Sequence, residues 1–530
     1  MNTAYHKNLL ESNALPFLIF GLAFFFRFWK IAQLPGGLFP DEAANGLDVN
    51  AILSGNWQPF YERGNGREAL FFYFLAVVVN FFGRGPWQHH IVSAAFGFAA
   101  VIAVYFLTKK LFGKNVALLA AFLMAISSYA VTLSRTAFRA NTVPLLSALT
   151  LFFLISWFES KKPRAKNYLA AAAGASFALG SYTYTSFRMM LPLLVGFTFI
   201  LLFGYRDKLR AVVQRYGRQT LIFLACFVIV IFPLARYFTA HPENITGRAG
   251  QVSIFSPDLN HGDVFGTFVT VFKKTMLGFF TEGDLNWRHN VSGFPFISPI
   301  LAPLFALGLL MMTLALFQLI KQSWQKEIKT ETLYPALCAA WFWLMLVPEI
   351  LTAEGIPHGL RLVGIIPPMF IFAGWAANKV WKKIIAASSF ARIRRGLAVV
   401  FVSSLLLYNY TLYFKVAALS PDYYYAFRSD LTVASQYLNS RNQKDKTYLS
   451  LDEFSVQTVA YLTTEQQQPY LLLDPARTFE VKLKTGDQVI FTQSTLFDRI
   501  KFTKAHPEAV LVKTEKNQFG ELIILVYEQP

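Results

Sequence analysis

Residues 14–33 read ALPFLIFGLAFFFRFWKIAQ, and this apolar run indicates the class of protein to which the chain belongs. A helix needs about 20 residues to cross the roughly 30 Å hydrocarbon core of a bilayer. Arg27 and Lys30 stand near the end of the run, and no small-residue cleavage site follows. We therefore expect a retained first membrane span and not a cleaved signal peptide.

Further apolar runs of spanning length follow along the chain. Residues are 54% hydrophobic and 15% charged, whereas soluble domains carry about 25% charged residues. The sequence therefore predicts a polytopic α-helical membrane protein with about eleven transmembrane helices. The runs after the first are 88–108, 116–133, 140–158, 168–184, 188–205, 219–238, 297–320, 333–351, 362–378 and 397–416.

The net charge of +18 lies in short clusters between the apolar runs. A continuous basic face with interleaved aromatic residues is lacking, so we predict no nucleic-acid partner. Cys226 and Cys338 both lie inside apolar runs, which excludes a disulfide framework. We instead expect membrane lipid as a partner.

The position of the basic clusters predicts the orientation of the chain. If the short apolar segment 69–82 lies in the membrane interface, five basic clusters all face the cytoplasm, as the positive-inside rule requires. The C-terminus and the long loops 34–87 and 239–296 then lie outside. Retained spans, the lack of a disulfide framework and a short N-terminus fit a multi-pass protein of a bacterial inner membrane. The clusters lie within 109–114, 161–166, 206–218, 321–329 and 379–395.

The C-terminal part of the chain differs in character from the rest. We predict a transmembrane module over 1–417 and a small soluble α/β domain, on the extracytoplasmic side, over 418–530. Charges are dispersed in the second part, and helix-like runs at 431–438 and 456–463 alternate with strand-like runs. The strand-like runs are 447–451, 469–473, 488–492, 509–513 and 521–527.

The loop after the first span, residues 34–46, reads LPGGLFPDEAANG. Asp41 follows Pro40 and could cap a helix from Glu42 to Leu53. A carboxylate at the membrane surface could also take a proton from an attacking hydroxyl. Further along, Arg67 and Glu68 are expected to begin the interfacial helix, either as a solvated helix start or as an ion pair near a reaction centre.

These motifs, with the Phe112-Gly113 pair, resemble the polyprenyl-phosphate-dependent glycosyltransferases of the GT-C superfamily. The protein O-mannosyltransferase and lipid A aminoarabinose transferase types are the most similar. The resemblance covers roughly residues 15–380 in organisation and is most specific over 34–114. Where the mannosyltransferases have His-Pro-Pro-Leu, this chain has Gly-Arg-Glu-Ala at 66–69.

The resemblance implies an inverting transfer of a sugar from a polyprenyl monophosphate to a hydroxyl acceptor on the outer face. Asp41 would be the general base and Glu42 its neighbour. The sugar, the acceptor and the length of the polyprenyl chain remain open. A transporter or lipid flippase, and a structural assembly subunit, are the alternatives; a transporter would need ionisable residues near mid-membrane and repeated halves.

Phosphate as a leaving group requires cations, and arginine suits phosphate because its planar fork donates two parallel hydrogen bonds. Outer-side arginines occur where spans end, although some could simply extend toward lipid phosphates. His358 and Arg361 are expected to share one face of a helix start and to clamp phosphate. The candidate substrate-binding residues are Arg67, Glu68, Arg139, Tyr182, Tyr184, Arg188, Arg288, His289, Asn290, His358 and Arg361.

A divalent metal ion is conceivable at these loops. Asp41, Glu42, Asp284 and His289 could converge on one, but no spacing motif requires it. We therefore assign no metal site and no cofactor from the sequence.

Overall fold

The computed structural model describes residues 14–245, 249–387, 391–441, 445–464 and 470–530. It divides into two compact units. The helical unit comprises the described parts of Met1–Trp29, Gln58–Phe71 and Ile91–Ala417. The sheet unit comprises Lys30–Trp57, Phe72–His90 and the described parts of Ala418–Pro530.

Within the described residues, eight helices are long and apolar enough to cross a membrane. The pair Lys114–Ile126 and Ser128–Arg135, bent by 59°, adds a ninth if it forms one span. The eight are Pro86–Phe112, Arg139–Glu159, Thr185–Gly204, Arg206–Ala240, Ala302–Gln325, Thr330–Ile350, Arg361–Ile385 and Arg392–Leu419.

Three other helices bear on the predicted span count. Ala14–Phe28 has 15 residues and Leu70–Phe82 has 13, and both are apolar. Pro163–Gly180 has 18 residues but is less apolar than the eight candidate spans. Each predicted apolar run therefore overlaps a helix, and a helix is confirmed at 70–82. The count of eleven spans and the interfacial position of 70–82 stay predictions.

Shorter helices and turns connect the spans of the helical unit. The first outer loop contains a two-stranded ribbon, in which β1 (Phe60–Tyr61) pairs antiparallel with β2 (Arg67–Glu68). The second long loop carries Ala249–Val252, Pro257–Asn260 and Val264–Gly278 as helices. After Gly278 the chain has no helix until Ala302, and this irregular segment holds several candidate site residues.

Two buried arginines satisfy carbonyl groups at helix ends inside the helical unit. The last carbonyls of a helix lack partners within the helix. Arg27 donates to the carbonyls of Met124 and Ala125, where the bent pair breaks. Arg135 donates to the carbonyls of Phe26, Arg27 and Trp29, at the end of the first helix. Arg27 thereby stabilises the break in the bent pair, and Arg135 stabilises the end of the first helix.

The sheet unit contains a five-stranded mixed sheet. Its strands are β3 Thr447–Ser450, β4 Leu471–Leu473, β5 Gln488–Thr492, β6 Val510–Lys516 and β7 Leu522–Glu528. Their order in the sheet is β4-β3-β5-β7-β6; β3 pairs parallel with β4 and β5, and β7 pairs antiparallel with β5 and β6. The predicted α/β domain is thus confirmed, although Pro469 lies outside the described residues.

Side chains on the strands alternate between two apolar faces, as strand geometry requires. Ile490 packs with the helices Ser429–Ser440 and Val456–Leu462 on one face. Phe491 packs on the other face with Phe502, from the helix Arg499–Ala505. The sheet unit also includes Lys30–Trp57 and Phe72–His90. The predicted division into domains 1–417 and 418–530 stays a prediction.

Replacing Arg135 with alanine should destabilise the helical unit. Two buried carbonyls and one partly buried carbonyl would lose their donor, and an unsatisfied buried acceptor costs about 1–3 kcal/mol. We expect a clearly lower unfolding temperature for purified Arg135→Ala protein in detergent. The matched control is Arg236→Ala, which removes an exposed arginine. Equal unfolding temperatures for the two variants would contradict the capping role of Arg135.

Candidate active site

The acidic pair Asp41–Glu42 lies in the first turn of the helix Pro40–Leu53, in the sheet unit. The helix begins at Pro40 and Phe39 is its N-cap, so the prediction that Asp41 caps a helix from Glu42 is wrong. Proline is favoured at the first helical position because its missing N–H needs no partner there. This extra residue moves Asp41 from the cap into the first turn.

Glu42 is fully buried and is engaged in holding the helix start. Its Oε2 accepts a hydrogen bond from the backbone N–H of Phe39 at 3.0 Å, the return bond of a capping box. Its Oε1 lies 3.4 Å from Nε2 of His90. Asp41, by contrast, is only partly buried. Of the two acids, Asp41 is therefore the more accessible to a substrate.

His90 was missed by the sequence reasoning. It is fully buried at the start of a long apolar helix, and its ring meets that of Phe427 edge-on at 6.1 Å. The neighbouring His89 packs edge-on against Tyr461 at 5.0 Å. Two adjacent histidines at the start of a predicted span were the available signal, because an apolar helix start rarely carries imidazoles without partners.

Glycines allow this acidic segment to pack closely inside the sheet unit. A Cβ at Gly37 would lie 2.3 Å from the carbonyl oxygen of Phe427, and one at Gly46 would lie 2.5 Å from the ring of Tyr461. The hydroxyl of Thr458 also donates to the carbonyl of Leu38 at 3.0 Å. The C-terminal residues thus position the segment that carries Asp41.

A second group of candidate residues is centred on Glu68, in the helical unit. Arg67 and Glu68 form strand β2 and do not begin the helix, which starts at Leu70; the prediction of a helix start there is wrong. The ribbon with β1 keeps this stretch extended. Glu68 is buried, and its carboxylate lies 3.0 Å from Nε of Arg139 and 3.8 Å from Arg188.

Tyr184 connects this group to Arg361. Its ring lies 5.3 Å from the guanidinium of Arg139, within cation–π distance. Burial raises the pKa of Tyr184, and the positive charges of Arg139 and Arg361 oppose that rise. The electrostatic coupling shows that arginines from sequence-distant turns share one neighbourhood, together with Glu68.

Arg361 is the first residue of a short 3₁₀ turn, Arg361–Ile365, that leads into the helix Ile366–Ala387. His358 lies before this turn, so the prediction that His358 and Arg361 share a face of the helix start is wrong. The guanidinium of Arg361 donates to the carbonyl of Glu354 and lies 3.5 Å from its carboxylate. This loop contact holds the arginine in place.

Asp284, His289 and His358 form a third group. Oδ2 of Asp284 lies 2.8 Å from Nδ1 of His289 and accepts a hydrogen bond from the N–H of Gly359 at 2.7 Å. The two imidazole rings are 4.4 Å apart, centre to centre. One ligand atom from each of the three side chains lies within 4.8 Å of the others, so together they could hold a metal ion.

Burial lowers the pKa of both His289 and His358. Nearby positive charges, Arg361 among them, lower it further, whereas Asp284 opposes the shift at His289. Burial therefore disfavours the charged form of both imidazoles.

Other predicted residues have structural contacts in the helical unit. The hydroxyl of Tyr182 donates to the carbonyl of Val230 at 2.7 Å and accepts from the N–H of Leu234, beside Pro233. These bonds satisfy backbone groups at a proline inside a helix. The substrate-binding role of Tyr182 stays a prediction.

Two residues of the second long loop also have local partners. Nε of Arg288 donates to the side chain of Asn286 at 3.1 Å, and the amide of Asn290 donates to the carbonyl of Phe294. Oδ1 of Asn290 is buried without a hydrogen-bond partner among the described residues. Their proposed contacts with substrate stay predictions.

Glu349 was also missed by the sequence reasoning. It is fully buried at the end of the helix Thr330–Ile350, and its Oε1 accepts a hydrogen bond from the N–H of His358 at 2.8 Å. The sequence did carry a signal for Glu349, namely a carboxylate at the end of an apolar run. Such residues are costly to bury and tend to be functional.

Comparison with known proteins supports the resemblance inferred from the sequence. Residues 69–232 match the family described as dolichyl-phosphate-mannose-protein mannosyltransferases. No curated protein sequence matches the chain.

Solved structures match nearly the whole chain. ArnT from Cupriavidus metallidurans bound to undecaprenyl phosphate is 13% identical, with 97% of this chain and 98% of that chain covered and a TM-score of 0.50. The apo state of the same protein is 12% identical, with 99% of this chain and 98% of that chain covered and a TM-score of 0.53. A third structure is that of the oligosaccharyltransferase AglB from Archaeoglobus fulgidus in complex with an inhibitory peptide and a dolichol-phosphate. It is 12% identical, with 99% of this chain and 75% of that chain covered and a TM-score of 0.53.

These matches, together with the apolar helices, establish the fold of the chain. It is an integral membrane protein with the fold of the GT-C glycosyltransferases, and the predicted fold class is confirmed. The family match adds a sequence signal over residues 69–232.

Substitutions at Glu42 should show whether its side chain stabilises the helix start. Glutamine can still accept the hydrogen bond from Phe39, whereas alanine leaves a buried donor unpaired at a cost of about 1–3 kcal/mol. We expect Glu42→Ala to lower the unfolding temperature more than Glu42→Gln. Glu453→Ala, at an exposed acid of the same unit, is the control. If Glu42→Ala unfolds no earlier than Glu42→Gln, Glu42 does not hold the helix start.

Proposed function

We propose that this chain is an inverting glycosyltransferase that moves a sugar from a polyprenyl-monophosphate donor to a hydroxyl acceptor. The hydroxyl oxygen attacks the anomeric carbon, the bond from that carbon to the phosphate oxygen breaks, and the lipid phosphate leaves. The proton of the hydroxyl passes to a carboxylate base. The ArnT and AglB structures hold undecaprenyl phosphate and a dolichol-phosphate, which supports this donor class.

The observation that carries the proposal is the arginine group around Glu68. The departing phosphate gains negative charge, and guanidinium groups fixed beforehand stabilise it without reorganisation. Arg139 and Arg188 are held by the buried carboxylate of Glu68, and Arg361 is held by Glu354. We assign phosphate binding to these three arginines, and assign to Arg67 and Glu68 the ordering of the donor site.

Asp41 is our candidate for the general base. It stands next to Glu42, whose carboxylate is already engaged at the helix start, and it is the less buried of the two acids. A positioned base of this kind contributes roughly 10²- to 10⁴-fold to the rate. Glu42 would act through Asp41 by fixing the helix on which it lies.

The basic clusters between spans support an orientation in which the transfer occurs on the extracytoplasmic face, in a bacterial inner membrane. The acceptor is a hydroxyl of a lipid, a glycan or a protein. The matched family and the matched oligosaccharyltransferase are both glycosyl-transferring proteins, so we favour the enzyme over the transporter alternative.

Replacing Asp41 with asparagine should abolish transfer while the protein still folds. The amide has nearly the same shape but cannot take the proton, so we expect a rate lower by about 10²- to 10⁴-fold. The measurement is release of label from radiolabelled polyprenyl-phosphate sugars by purified protein. Asp258→Asn, at an exposed acid of the second long loop, is the control. A near-normal rate for Asp41→Asn would exclude Asp41 as the base.

Replacing Arg361 with glutamine should weaken the binding of undecaprenyl phosphate. A hydrogen bond to a charged group contributes about 1.5–3 kcal/mol, which corresponds to roughly 10- to 150-fold in affinity. Lysine at this position should give a smaller loss, because it keeps the charge without the fork. Arg236→Gln is the control in the same equilibrium binding assay. If Arg361→Gln binds as tightly as this control, Arg361 does not contact the phosphate.

A further inference from the structure

The imidazole of His90, in the sheet unit, is buried without the hydrogen bonds that such a ring normally makes. It lies near the start of the helix Pro86–Phe112 and is fully buried. Neither Nδ1 nor Nε2 has a hydrogen-bond partner among the described residues. A buried polar atom without a partner is costly, and such an atom in a native protein calls for an explanation. The transfer mechanism proposed above does not use His90.

One carboxylate lies just outside hydrogen-bond distance of this ring. Nε2 of His90 is 3.4 Å from Oε1 of Glu42, and both side chains are fully buried. An N–H···O hydrogen bond is usually about 2.7–3.2 Å long. A closing movement of a few tenths of an ångström would therefore complete a bond between the two side chains.

The surroundings of the ring indicate which of its nitrogens carries the proton. A neutral imidazole has one N–H donor and one acceptor nitrogen. Nδ1 has no acceptor among the described residues, whereas Nε2 faces a carboxylate oxygen. Hydrogen bonds to a charged acceptor are the stronger class, so a proton is stabilised at Nε2 more than at Nδ1. We therefore place the proton of His90 on Nε2, where Glu42 can accept it.

Glu42 transmits the effect of this bond to the helix that carries Asp41. Its other oxygen, Oε2, accepts a hydrogen bond from the backbone N–H of Phe39 at 3.0 Å. With a donor on each oxygen, the carboxylate cannot rotate without breaking one of the two bonds. Asp41 precedes Glu42 in the same first turn, so the position of that turn decides where the carboxylate of Asp41 emerges.

Phe427 contacts both sides of this arrangement. Its ring meets that of His90 edge-on, with the ring centres 6.1 Å apart. Its carbonyl oxygen would lie 2.3 Å from a Cβ at Gly37, in the segment just before the helix that begins at Pro40. The C-terminal part of the chain therefore holds the imidazole and the acidic segment in register with each other.

We propose that His90 is a positioning residue, which donates its Nε2 proton to Glu42 and thereby fixes the helix turn that carries Asp41. The inference rests on the proposed function, because it concerns the placement of the general base. A displacement of about 1 Å from the productive geometry can cost on the order of 10²-fold in rate. A histidine that only filled space would instead be replaced without loss by an apolar side chain of similar size.

The test compares two side chains of similar size that differ in the donor. His90→Gln keeps an N–H group that can take the place of Nε2, whereas His90→Met has none. Full-length purified protein is given radiolabelled polyprenyl-phosphate sugars, and release of label is measured. We expect His90→Met to lower kcat on the order of 10²-fold, and His90→Gln to keep most of the wild-type value. KM for the donor should change little, because the arginines assigned to phosphate are untouched.

A double variant tests the pairing of His90 with Glu42. When the amide oxygen of Glu42→Gln accepts from Phe39, its amide nitrogen faces His90, and two donors cannot bond to each other. Adding His90→Met to Glu42→Gln should therefore cause no further loss of kcat. The control is His506→Met, which should transfer like the wild type. His506 is a partly buried histidine of the same unit, and its Nδ1 lies 3.6 Å from Glu508.

Unfolding temperatures show whether each variant is folded, and His90→Phe is used if His90→Met is not. The proposal is overturned if His90→Met keeps the wild-type kcat, or if His90→Gln loses as much as His90→Met. It is also overturned if the losses from Glu42→Gln and His90→Met multiply in the double variant. A wild type that releases no label refutes the proposed function itself, whereas an active wild type with an equally active His90→Met refutes only the role of His90.

Discussion

Backbone carbonyls at helix ends cannot be left without partners in an apolar interior, and this constraint governs the helical unit. Phe26 and Arg27 are buried near the end of the helix Ala14–Phe28, and the pair Lys114–Ile126 and Ser128–Arg135 breaks among buried side chains. Arg27 and Arg135 each cross to the other element and donate to buried carbonyls there. At the bend at Ser127, the carbonyls of Met124 and Ala125 depend on Arg27 for a donor, because Arg27 is fully buried.

The candidate site also contains buried polar groups that need partners, and here these groups are carboxylates. Glu68 is buried, and its charge is compensated by Arg139 and Arg188. A buried carboxylate paired in this way fixes the arginines before any substrate arrives, and such preorganisation is what stabilisation of a leaving phosphate requires. Glu349 and Asp284 hold the N–H groups of His358 and Gly359 in the neighbouring loop. Acidic residues thus fix the loops from which the cations and imidazoles project.

In the sheet unit, close packing decides the position of the acidic pair. Gly37 and Gly46 admit the backbone of Phe427 and the ring of Tyr461, which any side chain would exclude. The buried Glu42 closes the first turn of its helix, and Asp41 is left partly exposed. Two adjacent acids of the same charge therefore have different environments, which is the condition for giving them different roles.

The sequence by itself determined the membrane class, the positions of the apolar helices and the strands of the C-terminal sheet. Those features follow from local hydrophobicity and from its period, which the chain carries residue by residue. The motif around Asp41 and the Gly-Arg-Glu stretch also indicated the family of folds without any structure.

Only the tertiary structure decided which polar residues meet. Burial and hydrogen bonding depend on neighbours that are distant along the chain. The sequence around Glu42 therefore did not indicate its contact with His90, and the sequence around His358 did not indicate that it lies beside Asp284. For the same reason, only the structure shows that Arg135, just after the predicted span 116–133, binds helix carbonyls. A charged side chain acts through the partners that packing brings to it, and packing is set by the whole chain.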